Sequence, residues 1–110
     1  MAKRILFDPS EYRELTSEDQ ALLQLGYQKA IEALRRNITP LGFSACSLAD
    51  NQAHGTDANY RAVWARDGAK TVTWTLDLDD RDIVTCQQQT LRTILRHQAP
   101  AGQLPAHVYI

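Results

Sequence analysis

Four residues within one short span carry the side chains best suited to chemistry in this sequence: Tyr60, Trp64, Arg66 and Asp67, in the stretch NYRAVWARDGAK. The guanidinium of Arg66 is a rigid fork of donors, and the carboxylate of Asp67 offers only acceptors. Side by side they can bracket a group that both donates and accepts, such as two neighbouring sugar hydroxyls. Tyrosine and tryptophan add flat apolar surfaces with a polar edge, which suit the C–H face of a pyranose ring. A helix beginning near Asp67 would bring free N–H donors to the same point. The same residues also fit a purely structural role, with Arg66 and Asp67 as an ion pair or helix cap and Trp64 as core.

Other reactive side chains are less well placed. His54, His97 and His107 have no nucleophile or metal constellation and read as structural or solvent-facing. Cys46 and Cys86 are far apart and lack metal-ligand spacing. In a chain without an export signal they fit reduced thiols better than a disulfide. The run DLDDRD lacks the glycine and closing glutamate of an EF-hand loop, so it reads as a helix start. No metal and no cofactor are expected.

The elements that must position these residues belong to a chain of 110 residues, which predicts one domain with a limited core. A hydrophobic share of 44% fits a globular chain. Basic and acidic residues nearly balance, 12 against 13, with no basic patch, so nucleic acid is not an expected partner. The apolar run Ile5, Leu6, Phe7 ends at Asp8 and Pro9. It is too short for a signal-peptide core or a membrane helix, so the expected location is cytoplasmic, with no membrane partner.

Residues 1–16 read as a mixed-charge lead-in. Ser17 with Gln20 has the form of a capping box, and Leu22, Leu23, Tyr27, Ala30, Ile31 and Leu34 recur at helical spacing. The expectation is a helix over Ser17–Arg36, closed by Arg35 and Arg36 and stopped by Pro40. LGFSACSLADNQAHGTDA reads as a long ordered loop with a short extended piece around Phe43–Ser47. In GAKTVTWTLDLDD, Val72, Trp74, Leu76 and Leu78 alternate with polar residues, which locally favours a half-buried strand. A helix with Ala69, Val72, Thr73 and Leu76 on one face is the alternative. Asp80–His97 reads as a helix capped by Asp79 or Asp80, with an apolar stripe of Val84, Leu91, Ile94 and Leu95. Pro100 and Gly102 end it, and the tail GQLPAHVYI reads as loop turning to extended chain.

The segment GFSACSLADNQAHGTDANYRAVWARDGAK, followed by GQLPAHV, resembles the Trp-x-Arg-Asp region of six-hairpin α-barrel glycosidases. The wording is most similar to bacterial glycogen-debranching proteins of the amylo-α-1,6-glucosidase and glucoamylase-like type, and the alkaline invertases look similar. The resemblance covers Leu41 to Ile110 and, loosely, the first helix. It implies an α-glucan or glucose-containing oligosaccharide as partner, with Arg66 and Asp67 hydrogen-bonding the terminal glucose. Trp64 would line that subsite, Tyr60 would lie nearby, and Gln103 would face the same cavity. It also implies a helix rather than a strand over Asp67–Leu76.

The expected fold is therefore all-α: about three helices, the first hairpins of an (α/α) six-hairpin toroid, with residues 17–110 as a partial barrel domain. A complete barrel needs roughly twelve helices and several hundred residues. Glycoside hydrolysis needs two carboxylates across the scissile bond, and in these families they lie on later hairpins. Every glutamate here, at 11, 14, 18 and 32, lies in the lead-in or first helix. No residue is assigned as catalytic. The apolar ending at Val108, Tyr109 and Ile110 fits an N-terminal piece of a larger hydrolase. A small non-catalytic helical interaction protein is the other reading.

Overall fold

A computed structural model describes residues 14–50 and 60–110. Most of the expected lead-in, the later part of the long loop and His54 lie outside the described residues. The order is α1 (Ser17–Arg36), β1 (Ile38–Thr39), β2 (Gly42–Phe43), β3 (Ala62–Trp64), α2 (Ala65–Trp74), α3 (Arg81–Arg96) and β4 (His107–Tyr109).

The three helices occupy the expected regions, but the chain is not all-α. Two small antiparallel sheets are built into the described residues, so the architecture is mixed α and β rather than the expected all-α opening of a helical toroid. In the first sheet β1 pairs with β2, Ile38 opposite Phe43 and Thr39 opposite Gly42. Pro40 and Leu41 form the turn, and the Thr39 hydroxyl closes it by donating to the Gly42 carbonyl at 2.6 Å. The second sheet pairs β3 with β4: Ala62 opposite Tyr109, Val63 opposite Val108, Trp64 opposite His107. The apolar tail thus becomes a strand because Ala62 and Val63, both fully buried, require a partner for their backbone.

Helix α1 spans the expected Ser17–Arg36, but its N-cap lies one residue before the one the capping box implied. Thr16, not Ser17, is the N-cap, and its hydroxyl accepts from the Asp19 N–H at 3.1 Å. Both residues carry the needed hydroxyl; the box spacing from Thr16 ends on the acid Asp19 instead of Gln20. No residue of α1 is fully buried, and only Ile31 and Leu34 near its C-terminal end pack against the core.

Helix α2 shows why threonine misleads here. Thr71, Thr73 and Thr75 donate to the carbonyls of Asp67, Ala69 and Thr71, at 2.9, 2.9 and 2.6 Å. Their hydroxyls turn back onto the helix, so a strand-like composition sits in a helical backbone.

Helix α3 is capped by Asp80, whose carboxylate accepts from Asp82 N–H and Ile83 N–H and also holds the Arg35 guanidinium. Its buried face is not the expected stripe. Val84, Leu91 and Leu95 point outward, and Ile83, Cys86, Gln87, Thr90, Thr93 and Ile94 point inward. The inward polar residues satisfy backbone groups of neighbouring elements. Thr90 accepts from the Phe43 N–H at 2.9 Å, Thr93 donates to the Leu41 carbonyl at 2.6 Å, and Gln87 donates to the Thr75 carbonyl at 2.9 Å. The core cluster is Phe43, Ile83 and Cys86, with Ile31, Leu34, Ile38 and Leu78 around it.

Candidate functional site

The β3–α2 junction places the sequence-predicted residues. Trp64 ends β3 and is the N-cap of α2, in extended conformation and with no side-chain cap hydrogen bond. Ala65, Arg66 and Asp67 then form the first turn of α2. The Ala65 N–H is satisfied by the Ala106 carbonyl at 2.9 Å, which ties the junction to the segment before β4. The acidic side chain of Asp67 is electrostatically favoured in that turn.

A cavity of about 160 Å³ opens beside this turn. Trp64 and Asp67 line it, together with Asn37, Phe43, Ser44 and Thr71. The hairpin delivers Phe43 and Ser44, and Asn37 is the C-cap of α1. Gly68 sits at the floor: a Cβ there would lie 2.9 Å from the Thr90 Cγ2. Glycine therefore lets α2 settle onto α3 and keeps the first turn close to the hairpin.

The polar wall suits hydroxyl groups. The Thr71 hydroxyl spends its proton on the Asp67 carbonyl, and the Ser44 hydroxyl donates to the Cys46 carbonyl. Both keep lone pairs for an incoming donor. The Asp67 carboxylate forms no ion pair or hydrogen bond among the described residues. The Asn37 amide supplies both a donor and an acceptor. A ligand that offers several hydroxyl hydrogens and one apolar face matches these walls.

Arg66 and Asp67 do not pair with each other, so the ion-pair reading finds no support among the described residues. Neighbouring positions on a helix point in different directions. Arg66 and Asp67 are both exposed, but only Asp67 lines the cavity; Arg66 is not part of its wall. Tyr60 is exposed at the start of the β3 segment. Gln103 is also exposed; its carbonyl accepts from the Ala99 N–H at 2.8 Å in the turn after α3. Neither Tyr60 nor Gln103 lines the cavity. Asn37, Phe43, Ser44 and Thr71 were not foreseen as wall residues. The signal for Phe43 and Ser44 was present in GFSACS, which travels with the Trp-x-Arg-Asp motif in the resemblance.

A wider cavity, about 620 Å³, lies between the end of α1, the hairpin and α3, with Arg35, Pro40, Asp82, Cys86 and Gln89 on its walls. Burial pushes Cys86 above the ordinary thiol value, outweighing the nearby Thr39 backbone and Thr90 hydroxyl. Cys46 and Cys86 are both free of disulfide bonds. Among the described residues no group of His, Cys, Asp and Glu is arranged to hold a metal ion, and no helix is long and apolar enough to cross a membrane.

Comparison with protein-family models, with curated proteins and with solved structures found no match.

Proposed function

We propose that the Trp64–Asp67 cavity binds a glucose unit of an α-glucan, and that the chain serves as a sugar-binding part of a glycoside hydrolase of the glycogen-debranching type. One observation carries this reading: Trp64 and a carboxylate with no ion-pair partner among the described residues line one small cavity with Ser44, Thr71 and Asn37. Aromatic surface plus a few placed polar groups is the usual make-up of a small-molecule site. Arg66, exposed one position earlier in the same turn, is the donor nearest in sequence to Asp67. The catalytic acid and base are not assigned to residues of this chain. The reading includes a cytoplasmic location.

The outward stripe Val84, Leu91 and Leu95 favours a second reading, a non-catalytic interaction module. Saturation-transfer NMR with glucose and maltose separates the two. The sugar reading expects binding in the millimolar range, about −4 kcal/mol or weaker. No transfer to either sugar, at concentrations up to roughly a hundred times that range, leaves the interaction module standing.

A further inference from the structure

Trp64 shares its strand ladder with a second ring. His107, on β4, lies opposite Trp64 in register. The imidazole stacks on the indole, centroids 4.6 Å apart and planes 29° from parallel. Tyr109, two residues on and so on the same face of β4, meets the imidazole edge-on at 4.6 Å and 76°. The His107 Nδ1 is buried and has no hydrogen-bond partner among the described residues. Buried polar atoms nearly always find one. The ring is therefore seated by its aromatic contacts, not by a hydrogen bond at that nitrogen.

We infer that His107 is a positioning residue for the cavity: its ring fixes the plane of Trp64. The imidazole is stacked on the indole, and the same Trp64 lines the wall beside Asn37, Ser44 and Asp67. The Ala65 N–H bond to the Ala106 carbonyl locks the same two strands just beyond the stack. Tyr109 backs the imidazole and keeps it from rotating away. The effect on sugar binding rests on the function proposed above; the stack itself does not.

The chain has two tryptophans, and Trp74 is 72% exposed. Trp74→Phe therefore leaves Trp64 as the sole indole reporter. In that background His107→Ala is expected to raise acrylamide quenching of Trp64 at least about twofold by removing the stacked ring. It is also expected to weaken methyl α-glucoside binding about tenfold. His107→Phe should hold both near the parent values and raise Tm, because the orphaned nitrogen is gone. Unchanged quenching in His107→Ala overturns the positioning role. So does a His107→Phe chain that loses the sugar while Trp64 stays shielded. If His107→Ala does not fold, His107→Phe decides alone: a raised Tm with Trp64 shielded supports the inference, and a lowered Tm sinks it. A parent chain that binds no sugar defeats the glucose reading only, since quenching and Tm still judge the stack.

Discussion

The Thr90 hydroxyl accepts the Phe43 backbone N–H at 2.9 Å across 47 positions of chain. The same side chain meets α2, where a Cβ on Gly68 would come within 2.9 Å of the Thr90 Cγ2. One buried threonine on α3 thus sets the distance to both pieces that form the cavity. Gly42 is pressed against it as well: its φ is +131°, and a Cβ there would lie 2.6 Å from the Thr90 Cα.

This arrangement predicts a specific coupling. Gly68→Ala should destabilise the chain by about 1 kcal/mol, overpacking against Thr90 being partly offset by the better helix former. Thr90→Ser removes the methyl in the way. The double variant should recover roughly 1 kcal/mol relative to additivity in urea unfolding. Gly42→Ala should not be rescued by Thr90→Ser, because backbone atoms block it and the left-handed φ strains any side chain. Strict additivity of Gly68→Ala and Thr90→Ser would show that the two elements do not meet as described.

The inward face of α3 is open to an equally direct check. Ile83 is 1% exposed and Leu91 is 43% exposed. Ile83→Ala should cost about 2–5 kcal/mol. Leu91→Gln should stay within about 0.5 kcal/mol of the parent. Equal costs for the two would restore the stripe that periodicity suggested.

That stripe shows where the sequence was legible and where it was not. Helices α1 and α3 were readable because capping groups and breakers bracket them: Ser17, next to the actual cap Thr16, and Asp80 at their starts, Pro40 and Pro100 beyond their ends. The facing of α3 was not, because hairpin carbonyls and amides need hydroxyl partners, which places Thr90 and Thr93 inside and leaves leucines outside. Local alternation favoured a strand through Val72, Trp74, Leu76 and Leu78, with a helix as the alternative; the motif resemblance decided for the helix that is there. The β3–β4 ladder joins the motif to the far end of the sequence, a pairing that local periodicity cannot register. At the site, residue chemistry picked out Trp64 and Asp67. Asn37, Phe43 and Ser44 reach the same cavity only through the hairpin, and Arg66 is turned aside by one helical step.

Cys86 gives the chain a pH signature. Its thiol is raised above the ordinary value by burial. In the unfolded chain the thiol ionises first as pH rises, so the folded state then binds more protons than the unfolded one. Stability must fall with pH in that window, from about 8.5 upward. The Tm of the parent should drop between about pH 8 and pH 10, and Cys86→Ala should drop less, the difference opening only above about pH 8.5. Thermal scans of the two chains across that range measure it. An identical slope in both would mean that the thiol is not held neutral in the fold.

The central claim is that Trp64 and Asp67 face one sugar-binding cavity. Its most direct measurement is a two-dimensional NMR titration of the labelled chain with methyl α-glucoside, repeated on Asp67→Asn. Saturable shifts are expected at the Trp64 indole N–H and at the backbone amides of Ser44, Asp67 and Thr71, with millimolar affinity. Asp67→Asn swaps half of an ionised acceptor for a donor and should weaken binding by about 1 kcal/mol, roughly fivefold, without lowering Tm by more than a degree or two. Shifts that cluster away from these residues, or an Asp67→Asn chain that binds as well as the parent, would contradict it.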